Sequence, residues 1–128
     1  MIHSRQTGVS PMQSLEAMFA ADVNFVANHP NIPRLLLNAL GRTTKSPLKL
    51  MMATFIQRYE QRLSSVIAEA QQCGEIRATL DRETAAHLFI ATIQHLVFRA
   101  LIRDELDEIR EAAPAAFASY RACVETTR

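Results

Sequence analysis

The segment from Leu80 to Ile102 constrains this chain more than any other, because it reads as one long helix with too many apolar sides to stand alone. Asp81 is a good N-cap, and Glu83 puts negative charge into the first turn, where the helix dipole favours it. At about 100° per residue, Ala86, Phe89, Ile90, Ile93, Leu96, Val97, Ala100 and Leu101 form a wholly apolar side. The other side mixes Leu88, Ala91, Phe98 and Ile102 with His87, Thr92, Gln94, His95, Arg99 and Arg103. Such a helix buries both sides, one against its own domain and one against a partner. Arg and aromatic side chains would anchor that second contact, and small residues would let the partner come close.

Around this helix, 128 residues with 48% apolar and 21% charged composition suffice for one domain with a real core. Three glycines, five prolines and no tryptophan, with abundant Ala, Leu, Gln and Glu, point to helices. Net charge is +1 with no Lys/Arg run, so no electrostatic footprint for nucleic acid is present. Cys73 and Cys123 form neither a disulfide framework nor a metal spacing. The first residues lack the apolar region of a signal peptide, and a reducing cytoplasm is the simple expectation. No apolar run is read as a membrane span. No Gly-rich phosphate loop and no Ser-His-Asp arrangement is seen, so the expectation is a chain that is not an enzyme and needs no cofactor.

Residues 1–9 are polar and read as a tail, and residues 10–128 read as the domain. Ser10-Pro11-Met12-Gln13 is a capping box with proline at the first helical position. It starts a helix running to about Asn28, with Met12, Leu15, Met18, Phe19, Val23, Phe25 and Val26 on its apolar face. Asn28-His29-Pro30-Asn31 breaks it. A short helix from Ile32 to Leu40 follows, with Gly41 as its stop. Ser46-Pro47 opens a third helix whose stripe is Met52, Phe55, Ile56, Tyr59, Leu63, Val66, Ile67 and Ala70, ended by Gly74. The last segment, from Leu106 to about Glu125, carries Pro114, which implies a kink or a restart near Ala112. Nothing alternates with period two, so no strand is expected. The fold class is all-α, about five helices in an antiparallel bundle.

Asp22 is the oddest residue, since its direction falls among Leu15, Met18, Phe19 and Val26, and a carboxylate there is costly to bury unpaired. It is either a pocket acid that receives a ligand's donor or cation, or a carboxylate at the margin of the core. Met18, Asp22 and Phe25 follow 3-4 spacing on the first helix, as Met52, Phe55 and Tyr59 do on the third. With Phe89 from the fourth, these residues are expected to converge on one mainly apolar cavity for a small ligand. His87 and His95 with Glu83 lack the i,i+3 or i,i+4 ligand pairing and the second Glu-His element that a metal site needs, so none is expected.

Several of these segments together resemble a family. They are the Asn-His-Pro break, the short helix containing Arg34-Leu35-Leu36-Leu37, the sequence Ala70-Gln71-Gln72-Cys73-Gly74-Glu75-Ile76-Arg77, and then Leu80-Asp81, Ala85-Ala86, Leu88-Phe89, Ile93 and Leu96. This pattern, from about Ser10 to Val124, resembles the C-terminal domain of TetR-type (tetracycline-repressor-like) transcriptional regulators. The Gly-Glu-Ile-Arg turn before the Leu-Asp-capped helix is its most specific part. The resemblance implies that the last two helices pair with their twins in a four-helix homodimer interface and that the first three helices and the fourth enclose an inducer pocket. For the interface it points to Leu88, Thr92, His95, Arg99 and Ile102 on the fourth helix and to Phe117 and Tyr120 on the last. The helix-turn-helix of such regulators is not seen in this sequence, so the chain by itself is not expected to read DNA. The alternative from a different class is a stand-alone helical dimerisation or protein-interaction module without a ligand.

Overall fold

The computed structural model describes residues 8–41 and 46–126, so most of the expected tail lies outside the described residues. Five α-helices are found among them: α1 Pro11–Asn28, α2 Asn31–Leu40, α3 Pro47–Gln72, α4 Arg82–Arg103 and α5 Ile109–Val124, with a 3-10 turn at Leu106–Glu108 before the last. The chain is all-α, and the family-like order of long and short helices is as expected.

The caps work as their residue types dictate. The Ser10 hydroxyl accepts from the Gln13 amide, and the Gln13 side chain accepts from the Ser10 amide, closing the capping box. Ser46 accepts from the Lys49 amide. Asp81 accepts from both the amide and the hydroxyl of Thr84, and these two bonds hold its carboxyl below the usual range.

α1, α3, α4 and α5 form a closed ring in which each helix packs on two neighbours, while α2 touches the bundle lightly, through α3 and an Arg34–Asp104 ion pair at the end of α4. Cross-links fix the directions. Met12 on α1 meets Glu75 just past α3, Asp22 meets Tyr59, Phe117 meets Phe19, and Tyr120 meets Ala85. Neighbours in the ring therefore all run antiparallel. At its centre Phe19 packs edge-on to Phe89 and Phe89 edge-on to Tyr120, each with ring centres 5.5 Å apart. Aromatic pairs of this geometry add about 0.5–1.5 kcal/mol beyond their burial. The Tyr120 hydroxyl, whose burial pushes its pKa up, donates to the Ala85 carbonyl at 2.9 Å.

The Gly-Glu-Ile-Arg turn closes one end of the bundle. Gly74 takes a φ of +84°, and the amides of Gly74 and Glu75 return to the carbonyls of Gln71 and Ala70, a Schellman ending. The Glu75 carboxylate then accepts from the Met12 amide at the start of α1. Ile76 is buried, and its backbone makes an isolated bridge to Glu125. Arg77 donates to the carbonyls of Cys123 and Val124 at the end of α5. Four residues thus tie the ends of three helices together.

Three expectations change in detail. Gly41 follows α2 without a left-handed φ. α5 runs unbroken through Pro114, only five residues past its start, where the 3-10 turn has already absorbed the change of direction. α4 does have the length and mean hydropathy, 1.5, of a bilayer span. It is nonetheless a bundle helix, with Ala85, Ala86, Phe89 and Ala100 buried against its neighbours and charged or imidazole groups at Arg82, Glu83, His87, His95, Arg99 and Arg103.

Candidate functional site

Two surfaces carry more apolar or acidic character than a solvated helix face needs. The first lies on α1 and α3, at the end of that pair nearest α2. Tyr59 on α3 donates its hydroxyl to Oδ2 of Asp22 on α1, both groups being half-buried. Burial raises the Asp22 pKa above its ordinary value, against the lowering effects of the Tyr59 bond and of the Arg62 charge. Burial and the Asp22 carboxylate together raise that of Tyr59. Beyond this pair, toward the open end, the Phe55 ring lies parallel to Tyr59 at 6.2 Å and Phe25 stacks on His29 at 4.4 Å. Phe55 is 68% exposed and Phe25 51%, and Leu35, Leu48, Leu50 and Met51 are exposed in the same part of the chain.

The expected ligand-site residues are thus only partly brought together. Asp22 and Tyr59 meet directly, and Met18 and Tyr59 pack against the core's edge. Met52 is half-buried. Phe89 is fully buried at the centre of the aromatic cluster, because it lies on the inner line of α4 shared with Ala85 and Ala86. Phe25 and Phe55 are exposed and so lie on an outward rim rather than facing an enclosed space. Two shallow, open depressions lie elsewhere, one lined by Gly8, Ser10, Cys73 and Glu75 and the other between α1 and α5 beside Arg110 and Phe117.

The second surface is the outer side of α4. Leu88, Ala91, Thr92, His95, Phe98, Arg99 and Ile102 fall within an arc of about 120°. Leu88 is 41% exposed, Phe98 54% and Ile102 77%. Thr92 is half-buried and returns its hydroxyl to the Leu88 carbonyl at 2.8 Å. Phe117 and Tyr120, expected on this surface, are buried in the chain's own core, since they share the inner line of α5 with Ile109, Ala113 and Val124. The outer line of α5 is instead Ala112, Ala115, Ser119 and Ala122, all exposed. Their spacing of three, four and three residues was readable in the sequence, but alanines in a helix draw attention only once a neighbouring apolar stripe is known. His87, weighed above as a ligand, faces Glu60 on α3 at 3.3 Å.

The described residues form an all-α bundle with one packed interior and an exposed apolar stripe on α4. The chain belongs to the TetR-like C-terminal domain family: the family described as "Tetracyclin repressor-like, C-terminal domain" matches residues 11–116. No curated protein and no solved structure gives a significant match.

Proposed function

We propose that this chain is the effector-sensing and dimerisation domain of a TetR-like transcriptional regulator, working as a homodimer and binding a small apolar ligand. The family membership supports the regulator reading. The observation that carries the pairing is the exposed stripe of Leu88, Phe98 and Ile102 on α4 beside the alanine line of α5. Bulky residues on one helix and small ones on the next fit a two-fold contact of four helices, and such interfaces bury well over ~1,000 Å² in total. The observation that carries the ligand is the exposed aromatic rim around a half-buried acid. A ligand seated there would bridge α1 and α3 and favour one packing of the bundle over another. The chain would act in the cytoplasm, without catalysis and without reading DNA by itself.

A second reading, a dimerisation module without a ligand, is favoured by the filled interior around Phe19, Phe89 and Phe117. Native mass spectrometry of the purified protein tests both. A dimer that carries or accepts a small apolar molecule supports the first reading. A dimer that binds none supports the second, and a monomer contradicts both.

A further inference from the structure

We propose that pairing through α4 is gated by protons at His95: two copies meet with His95 at the two-fold axis, hold together while the imidazoles are neutral, and part when they are protonated. This rests on the homodimer reading above and names the regulation of that same seam.

The register comes from the stripe itself. Leu88, His95 and Ile102 recur at intervals of seven residues, as do Ala91 and Phe98, and Thr92 and Arg99. A seven-residue repeat keeps one line of a helix against a second helix that crosses it at a shallow angle. His95 stands midway between Leu88 and Ile102. A two-fold axis at that point runs the second α4 antiparallel to the first, so each residue meets the one equally far beyond His95. Leu88 then meets Ile102 of the second copy, Ala91 meets Arg99, and Thr92 meets Phe98. In the last two layers a small side chain receives a large one. Moving the axis one turn later, to Arg99, would carry Leu88 past the end of the facing helix, which closes at Arg103. Moving it one turn earlier, to Ala91, would carry Ile102 past its start at Arg82.

The charges at this point are of one sign. Arg99 lies one turn from His95 on the same line, both are exposed in the single chain, and the stripe carries no acid. On the elements packed against α4, Glu60 of α3 faces His87, Asp22 of α1 accepts from Tyr59, and Arg110 of α5 is turned to Asn24 and Asn28. Asp107, Glu108 and Glu111, exposed around the start of α5, form no ion pair with His95 or Arg99. Imidazole is the side chain that changes charge between about pH 5 and 8. In the closed seam an added proton would sit against the second imidazole and both guanidiniums, and like charges juxtaposed across an interface are costly. In separated chains water solvates the same proton. Protons therefore favour separation, while Leu88, Phe98 and Ile102 hold the neutral pair.

Sedimentation equilibrium at about pH 8 and about pH 5.5, either side of the ordinary imidazole range, tests the gate. The wild-type dimer should be at least ~10-fold weaker at the lower value, with unchanged helical content by circular dichroism. His95→Gln and His95→Leu, neutral at both values, should dimerise within ~3-fold alike at the two. His87→Gln, which removes the other imidazole of α4, should keep the wild-type response. In a background of Cys73→Ser and Cys123→Ser, which removes both exposed thiols, His95→Cys should cross-link to its own copy under mild oxidation faster than Leu88→Cys. A wild-type dimer equally tight at both values would overturn the proton gate and leave the homodimer reading standing. A wild-type monomer at about pH 8 would remove the homodimer reading and the gate with it. Dissociation that accompanies loss of helix, or a pH response that survives both His95 variants, would overturn the assignment to His95. Faster cross-linking at Leu88→Cys, or both His95 variants monomeric throughout, would overturn its place at the axis.

Discussion

Asp22 shows how one residue can oppose the fold that holds it. Its pKa is raised in the folded chain from the ordinary 3.8, with desolvation the largest cause. The proton is therefore bound more tightly in the folded state than in the unfolded one. The stability linked to it is fully present below the ordinary value and is lost as pH rises through the folded value. Asp22→Asn carries no charge at any pH, so it should melt higher than the wild type at pH 7. The gap should close as pH falls toward 4, followed by melting temperature across that range. A constant gap, or a variant that melts lower at pH 7, would contradict the account. Two phenylalanines separate core from rim at the same scale. Phe89→Ala removes the centre of the aromatic cluster and should cost ~3–5 kcal/mol in urea denaturation. Phe55→Ala, at a 68% exposed position, should cost less than ~1 kcal/mol. The sequence marks both as apolar-face residues at helical spacing. What it does not carry is the tertiary packing that encloses Phe89 among Phe19, Tyr59 and Tyr120 and leaves Phe55 exposed beside Tyr59.

Helix ends were the most legible elements, because their signals are local. Ser10-Pro11, Ser46-Pro47 and Asp81 each start a helix where their chemistry requires. Gly74 ends one in the left-handed conformation, and an added Cβ there would meet nothing within 4 Å. Gly74→Ala should therefore cost roughly 1–2 kcal/mol from the backbone alone. Gly41 looks the same in sequence yet has an ordinary φ, so Gly41→Ala should be neutral or stabilising by about 0.4–1 kcal/mol. Thermal melts of the two variants give opposite signs if the two turns differ as described. The faces of helices were harder to read. A helical stripe names its own line but not its neighbour, so Phe117 and Tyr120 pass for a pairing face until α1 is seen to lie against Phe117 and α4 against Tyr120. The Gly-Glu-Ile-Arg turn was recognised as distinctive, whereas its work, tying the start of α1 to the end of α5, depends on contacts between residues far apart in the chain.

For the whole molecule, the ring of four antiparallel helices uses the inner line of each and, among the described residues, leaves the outer line of α4 exposed. That surface includes Leu88, Phe98 and Ile102 and no acid, and it lies beside a line of alanines on α5. A second copy offers the same two lines in reverse, which a two-fold contact satisfies. With a net charge of +1 the chain should give no sequence-dependent mobility shift with DNA at physiological salt. Pairing is the central claim, and sedimentation equilibrium at micromolar concentration tests it most directly, on the wild type and on Ile102→Glu, which places a charge at a 77% exposed position on the seam. The account predicts a dimer mass for the wild type and a monomer mass for the variant, with the same helical content in both. A wild-type chain that sediments as a monomer, or a variant that remains a dimer, would contradict it.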